Sequence, residues 1–324
     1  MYSRRILYGL PTAHPEARYV FAYRPHRFLR SFSEQLPRNT RRRLLSNAWP
    51  LSADLFHGLN QRVDSTRYRR TVSTFHDLFV LSGAYSTPDF RARFARQARE
   101  AAARSDLIIA VSSFTAGQVE DLLRVDRGRI RVVHHGVAPP PDPGSPAKRE
   151  KMILFVGALQ RRKNVLRLVE AFEQVAPGWK LVLAGASGFA AAEALQRVEA
   201  SPRRGDIQIL GYVPDRALED LYQRAAIFAF PSLDEGFGMP VLDAMARGVP
   251  VLTSTVAAMP EICTDAALLV DPHDSAAIAA GLKSLTENPA LRADLAQRGC
   301  GRSKEFSWEK AMEGTWKVYQ ELLA

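Results

Sequence analysis

The chain has 324 residues, of which 46% are hydrophobic and 24% charged, the composition of a globular protein with about two domains. No apolar run approaches the roughly 18 residues that span a bilayer, and the charged first residues lack the apolar segment of a signal peptide. Two isolated cysteines, Cys263 and Cys300, exclude a disulfide framework and a thiolate metal site. These features predict a cytoplasmic protein.

Positive charge is concentrated in the first half, because residues 1–150 hold 25 Lys and Arg against 13 Asp and Glu, whereas the remainder holds 19 against 21. A basic first half of the chain favours an anionic partner. We therefore expect peripheral contact with an anionic membrane surface, at the inner membrane face. A solvated arginine-rich surface is the alternative. Nucleic acid is not expected, because no known DNA- or RNA-binding motif accompanies the basic runs at 41–43 and at Arg67, Arg69 and Arg70.

In chain order, the first half contains three apolar runs typical of strands, at 72–75, 107–111 and 130–134, and a helical pattern at 90–104. The segment VAPPPDPGSPAKRE, 137–150, follows. Its five prolines cannot continue a helix or a central strand, so it is predicted to be a linker.

Beyond the linker, short apolar runs alternate with amphipathic segments. The predicted strands are 152–157, 180–185, 207–210, 227–230 and 249–253. The predicted helices are 164–176, 189–200, 215–225, a short helix between Pro240 and Gly248, and 306–323. This alternation is typical of doubly wound parallel sheets. The predicted fold class is therefore α/β, with two such units facing a cleft at the carboxyl ends of their strands.

Residues 232–250, SLDEGFGMPVLDAMARGVP, carry two acids around a glycine-rich turn. Gly236 and Gly238 let the backbone approach a ligand, and the helix start that follows favours an anion such as a phosphate. Glu235 beside that turn suits sugar hydroxyls, and Asp243, one turn into the helix, suits a ribose. The alternative is that both acids only complement the helix dipole.

A basic cluster follows the first strand after the linker. Arg161, Arg162 and Lys163, in GALQRRKN, stand at a strand's carboxyl end, where a diphosphate would lie. A solvated surface is again the alternative. Because cationic side chains can stabilise a departing diphosphate, the diphosphate can leave without a metal, and no metal is expected. Taken together, the two stretches indicate a nucleotide-sugar site.

The second half resembles family 4 of the retaining, nucleotide-sugar-dependent glycosyltransferases, which have the GT-B fold. The matching segments are FVGALQRRKNVLRLVEAF, ILGYVPDRALEDLYQRA, FPSLDEGFGMPVLDAMARGVPV and MPEICTDAALLVDPHD, with looser matches at LFHGLN, VSTFHDLF, DLIIAVSSFT and IRVVHHGV. Within the family, the nearest likeness is to bacterial mannosyltransferases of surface-polysaccharide assembly. The resemblance implies Rossmann-like domains at 1–140 and 151–305, a linker at 141–150, and a helix at 306–324 that crosses back onto the first domain.

The resemblance also implies roles for residues of the second half. Glu235 would hold donor-sugar hydroxyls, Asp243 would hold the ribose, and Lys163 with Arg162 would bind the diphosphate and stabilise the leaving group. The further donor and nucleotide contacts that it implies are Gly157, Gly185, Gly236, Phe237, Gly238 and Val213.

Two residues of the first half receive roles in the same way. His76, in FHDL, would lie over the donor sugar; the alternative is a core histidine at a strand end. Ser112 would contact the acceptor or a phosphate, and it also suits a helix N-cap.

The sequence departs from the family in three places. Asp243 stands where the family usually has Glu, and His135 stands where it usually has Asn. Nothing in the first residues resembles the strand and glycine-rich loop with which the family opens, so the chain is expected to begin after that element.

The activity that the resemblance implies is a metal-independent, retaining transfer of a hexose from a nucleoside-diphosphate sugar to a hydroxyl of a glycan or lipid-linked acceptor. No cofactor is implied beyond the donor, for which GDP-mannose is favoured and UDP-sugars remain open. The alternative is a non-catalytic GT-B subunit of a polysaccharide-assembly complex. A dinucleotide-dependent oxidoreductase is excluded, because no GxGxxG segment follows an early strand.

Overall fold

The computed structural model describes residues 2–45, 52–63, 66, 68–140 and 149–324. Most of the predicted linker (141–148) and Arg67 of the basic runs lie outside the described residues. No helix in the described ranges has the length and apolar character needed to cross a bilayer.

Helices and strands alternate along the chain. The helices are α1 (Tyr2–Ala13), α2 (Pro25–Phe28), α3 (Phe79–Ser82), α4 (Pro88–Arg104), α5 (Ser113–Leu123), α6 (Val165–Phe172), α7 (Ala191–Glu199), α8 (Asp215–Arg224), α9 (Met239–Ala246), α10 (Met259–Cys263), α11 (Ser275–Glu287), α12 (Pro289–Ser303) and α13 (Trp308–Leu323). The strands are β1 (Tyr19–Tyr23), β2 (Thr40–Leu44), β3 (Leu55–Gly58), β4 (Arg70–Phe75), β5 (Leu107–Ala110), β6 (Ile130–Val132), β7 (Glu150–Val156), β8 (Lys180–Ala184), β9 (Ile207–Gly211), β10 (Ala225–Phe230), β11 (Val251–Ser254) and β12 (Leu268–Val270).

The chain forms two units. Unit 1 comprises Met1–Leu78, Arg91–Gly136 and Ser307–Ala324, and unit 2 comprises Phe79–Phe90 and Val137–Phe306. The sequence-based division left residues 79–90 in the first domain, but they group with unit 2 because side chains of this segment contact the loops of its sheet.

Unit 2 is built on a six-stranded parallel sheet with the order β12-β11-β10-β7-β8-β9. All six residues of β10 are buried, which explains the apolar run that predicted it. The chain first adds β8 and β9 on one side of β7, and then β10, β11 and β12 on the other. The order therefore reverses between β7 and β10, and such a switch point is where open parallel sheets bind ligands.

Unit 1 contains a four-stranded parallel sheet, β3-β4-β5-β6, and a separate parallel pair, β1-β2. Helices α1 and α13 pack against each other and against the larger sheet through a shared apolar cluster that includes Ile6, Leu10, Val72, Ile109 and Val318. The three apolar runs predicted as strands are confirmed as β4, β5 and β6.

Several elements differ from the sequence prediction. The helix expected over 164–176 is shorter: α6 begins at Val165 and ends at Phe172, and residues 161–163 before it form a 3₁₀ turn. Asn164 causes the break, since its left-handed conformation (φ 60°) separates the turn from the helix. Strands β1 to β3 and β12, and helices α1 to α3 and α10 to α12, were not predicted.

Candidate active site

The loops that follow β7 and β10 are joined by hydrogen bonds at the switch point of unit 2. The carbonyl oxygen of Arg162 accepts from the backbone N–H of Leu233 at 2.7 Å and from the hydroxyl of Ser232 at 3.0 Å. The amide of Asn164 donates to the carbonyl of Pro231 at 2.9 Å. These bonds fix the position of one loop on the other.

Glu235 lies between the two cations that the sequence singled out. Its Oε2 accepts from the ammonium of Lys163 and from Nη1 of Arg162, the latter at 2.9 Å. The exposed fractions of the three side chains are only 15%, 7% and 12%, in the order Glu235, Lys163, Arg162. Burial alone would raise the pKa of the Glu235 carboxyl, but Lys163 and Arg162 together lower it below its usual value. In this cluster an ionised carboxylate therefore accepts hydrogen bonds from two buried, positively charged side chains.

Residues 79–90 contribute a contact to this cluster that the sequence did not predict. The ring of Phe79 lies 4.2 Å from the guanidinium carbon of Arg162, a cation–π contact. Ser82 donates to the carboxylate of Asp234, whose carbonyl accepts from Nη1 of Arg162 at 3.0 Å. The guanidinium is therefore held on one face and along one edge. Its Nε is buried and has no hydrogen-bond partner among the described residues, so one N–H donor remains for an acceptor.

Asp243, on α9, belongs to a second charged group. Its Oδ1 lies 3.4 Å from Nη1 of Arg247, and the same arginine binds both carboxylate oxygens of Glu219 at 2.6–2.9 Å. The Arg247 guanidinium also lies 5.1 Å from the ring of Tyr222. Burial raises the pKa of Asp243 to about 6, an effect that Arg247 opposes and Glu219 reinforces. Asp243, which the sequence predicts to bind the ribose, is therefore held by Arg247, a neighbour that the sequence did not predict.

Three of the predicted donor-side glycines have packing partners in the protein. A Cβ added to Gly185 would lie 1.9 Å from the carbonyl oxygen of Gly157, because the loops after β7 and β8 touch there. Gly238 has φ 94° at the start of α9, and a Cβ on it would lie 2.3 Å from the terminal methyl of Met259. Backbone packing at Gly185 and the positive φ at Gly238 are enough to require glycine at these two positions, and their contact with a donor stays a prediction.

The remaining donor-side residues lie in loops of unit 2. Phe237 is buried, with its ring edge-on to that of Phe306 at 5.9 Å, so its side chain belongs to the core. Gly236 precedes it in the loop between β10 and α9, and Val213 is half-buried in the loop between β9 and α8. Donor contacts of these three residues stay predictions.

His76, in unit 1, follows β4 directly, and both of its ring nitrogens are engaged. Nε2 donates to the carbonyl of Leu59 at 2.9 Å, so Nδ1 accepts from Nε2 of His135 at 3.2 Å. The ring of Tyr2 packs edge-on against it at 4.6 Å. Burial lowers the pKa of His76, and the hydrogen bond to Leu59 only partly opposes this. The environment is that of a neutral histidine at a strand end, and its role over a donor sugar stays a prediction.

Ser112, also in unit 1, is the N-cap of α5. Its hydroxyl oxygen accepts from the backbone N–H of Thr115 at 3.0 Å, and the residue is fully buried. The helix-cap alternative is confirmed, whereas contact with an acceptor stays a prediction.

Two parallel α/β units, one with an acid–cation cluster at the switch point of its sheet, are features of a glycosyltransferase of the GT-B class. Comparison of the sequence with family models agrees. The model described as glycosyl transferases group 1 matches residues 142–302, and the model of glycosyltransferase family 4 matches residues 7–139. The chain belongs to the family 4 glycosyltransferases.

Individual proteins show the same likeness. The chain is 32% identical over 284 residues to an O-antigen chain mannosyltransferase B of Escherichia coli, covering 83% of this chain and 74% of that protein. It is 30% identical over 259 residues to a D-inositol 3-phosphate glycosyltransferase of Streptomyces avermitilis, covering 72% of this chain but only 55% of that protein. Among solved structures, WaaG, a glycosyltransferase involved in lipopolysaccharide biosynthesis, has a TM-score of 0.74 at 16% identity, with 98% of this chain and 94% of WaaG covered. HepE of Anabaena, solved with UDP and glucose, has a TM-score of 0.68 at 19% identity, with 78% and 71% covered.

Proposed function

We propose that the chain transfers a hexose, with retention of configuration and without a metal ion, from a nucleoside-diphosphate sugar to a hydroxyl of a glycan or lipid-linked acceptor. The observation that carries this proposal is the cluster in which Lys163 and Arg162 both donate to Glu235 at the switch point. The family membership supports the general activity. The 32% identical mannosyltransferase supports mannose, and hence GDP-mannose, as the favoured donor.

Each member of the cluster has a part in the proposed transfer. Lys163 and Arg162 bind the diphosphate and stabilise the charge that develops on it as the bond between C1 of the sugar and the phosphate oxygen breaks. The ionised Glu235 accepts hydrogen bonds from sugar hydroxyls and holds C1 in place. The acceptor oxygen then bonds to C1 on the face that the diphosphate leaves, and its proton passes to the departing β-phosphate.

The orientation of Arg162 supports the assignment to a diphosphate. A buried guanidinium held by Phe79 and by the carbonyl of Asp234 is already in one geometry before a ligand arrives. Its buried Nε needs an acceptor, which a phosphate oxygen would supply.

The test is calorimetric titration of the whole chain with GDP, UDP, GDP-mannose and UDP-glucose in the presence of EDTA. We expect GDP and GDP-mannose to bind, and Lys163→Ala to weaken both. Lys151→Ala is the matched control, because Lys151 is exposed near the opposite end of β7. Binding of UDP species instead would reassign the donor, a requirement for added metal would overturn the metal independence, and failure of every nucleotide to bind would favour a non-catalytic subunit.

A further inference from the structure

Unit 1 exposes two large apolar side chains within a strongly basic segment. Leu29 is 80% exposed and Phe32 is 63% exposed. The exposed residues next to them along the chain that carry positive charge are Arg24, Arg27 and Arg30. We call these five residues the basic–apolar patch.

The two apolar side chains project in the same direction. Residues Leu29–Ser33 form a 3₁₀ helix, in which side chains three residues apart lie above one another. The Phe32 ring contacts that of Phe28 edge-on at 5.4 Å, and the guanidinium of Arg42 lies 5.4 Å from its centre. Arg42 also donates to the carbonyl of Ser31 at 2.9 Å, so the protrusion is held on the β1-β2 pair below it.

The charge of the segment is almost entirely of one sign. Residues 17–45 contain eight arginines and one acid, Glu34. That carboxylate is already engaged, because it accepts from the hydroxyls of Tyr8 at 3.1 Å and Tyr23 at 2.7 Å. In the part of the chain that the structure describes, no arginine of the basic–apolar patch forms an ion pair with an acid.

We propose that the basic–apolar patch docks on the surface of an anionic phospholipid bilayer, with Leu29 and Phe32 entering the headgroup region and the arginines contacting lipid phosphates. An anionic lipid surface would bind both kinds of side chain. The apolar side chains would leave water for the headgroup region, and the negative surface potential would attract the arginines. A nucleic acid would bind the arginines through its phosphates, but it would not favour the burial of an aliphatic side chain such as Leu29. A second copy of this chain would bring two surfaces of like charge together.

The proposal is tested by flotation of the whole chain with vesicles, and it does not depend on the proposed transferase activity because no donor is needed. We expect binding to vesicles of phosphatidylcholine and phosphatidylglycerol in equal parts, and little binding to phosphatidylcholine alone. Leu29→Ser with Phe32→Ser should lower the partition coefficient about tenfold or more. Arg27→Gln with Arg30→Gln should lower it roughly fivefold for each charge removed.

Two matched variants control for nonspecific effects. Tyr212→Ser changes a side chain that is 77% exposed in unit 2, and Arg96→Gln with Arg99→Gln removes two exposed charges from α4 of unit 1. Both should bind vesicles as the wild type does. The proposal is overturned if these controls lose as much binding as the patch variants, or if the apolar substitutions leave vesicle binding unchanged. It is also overturned if the apolar substitutions abolish a dimer in sedimentation.

Discussion

Replacing Glu235 by glutamine removes one negative charge from the cluster and keeps the size of the side chain. In the structure this carboxylate accepts from Lys163 and Arg162, the two cations to which we assign the donor diphosphate. A diphosphate and the carboxylate therefore compete for the same donors. We expect Glu235→Gln to bind GDP more tightly than the wild type and yet to turn over the sugar donor at least about a hundredfold more slowly.

The size of the gain follows from the repulsion that the substitution removes. A phosphate in contact with both cations would lie about 5–7 Å from the carboxylate, and two unit charges at that separation repel by roughly 2.4–3.3 kcal/mol at an effective dielectric constant of about 20. Part of this is lost because an amide orders the two cations less well than a carboxylate does. A net gain of about 1.4 kcal/mol corresponds to a Kd for GDP that is about tenfold lower.

Calorimetry with GDP and with GDP-mannose, alongside turnover, separates the two effects. Because GDP has no donor sugar, only GDP-mannose should lose hydrogen bonds to Glu235, so the ratio of the two affinities should shift toward GDP. Glu193→Gln is the matched control, since it removes the same charge from the exposed pair with Arg161 and should change neither quantity. A tenfold weaker affinity for GDP in Glu235→Gln would refute the competition argument.

Three further predictions follow from other parts of the structure. Phe79→Leu removes the ring over the neighbouring guanidinium and should weaken nucleotide binding about tenfold, as expected for a buried cation–π contact of about 1–2 kcal/mol; an unchanged calorimetric Kd would contradict this. Because burial raises the pKa of Asp243 to about 6, the affinity for GDP-mannose should fall as the pH drops below that value in the wild type but not in Asp243→Asn. The effect on folding has the opposite sign: a folded-state pKa above the unfolded one favours the native state at low pH, so Asp243→Asn should raise Tm at about pH 7.5 and leave it unchanged below about pH 4. Gly185→Ala places a Cβ 1.9 Å from the Gly157 carbonyl and should cost roughly 1–3 kcal/mol or more of stability, whereas Gly205→Ala, with open space at its Cβ, should melt like the wild type.

The sheet of unit 2 was predictable because its strands are buried on both faces. A strand such as β10, with six buried residues, appears in the sequence as an uninterrupted apolar run, which is not the pattern of a surface segment. The strands that were missed lack this signal. β2 reads TRRRL and alternates between half-buried and exposed positions, so its composition is that of a surface. Hydrophobic pattern identifies a strand only where the environment on both faces is apolar.

The site was predictable only in part, for a different reason. The proximity of Glu235 and Lys163 could be predicted because each follows a predicted strand, and parallel strands bring their carboxyl ends to one edge. Phe79 was missed because its contact with Arg162 joins residues 83 positions apart that lie in differently predicted domains. Asn164, which fixes one loop on the next through its side-chain amide, was missed in the same way. The spacing of residues along a sequence indicates on which face or at which end of a helix or strand a side chain lies. It does not indicate which distant residue that side chain contacts in the folded protein.

The balance of charge explains why one segment carries acids beside a site that favours anions. Around Glu235 two cations face one carboxylate, so the group keeps a net positive charge and suits a diphosphate. Around Asp243 one cation, Arg247, faces two carboxylates, because Glu219 shares it, so this group is net negative and suits hydroxyl donors such as those of a ribose. The two acids stand eight residues apart, on a loop and on the helix that follows it. Opposite net charges at the two ends of one segment would let a single nucleotide sugar bind with its phosphates and its ribose in one orientation only.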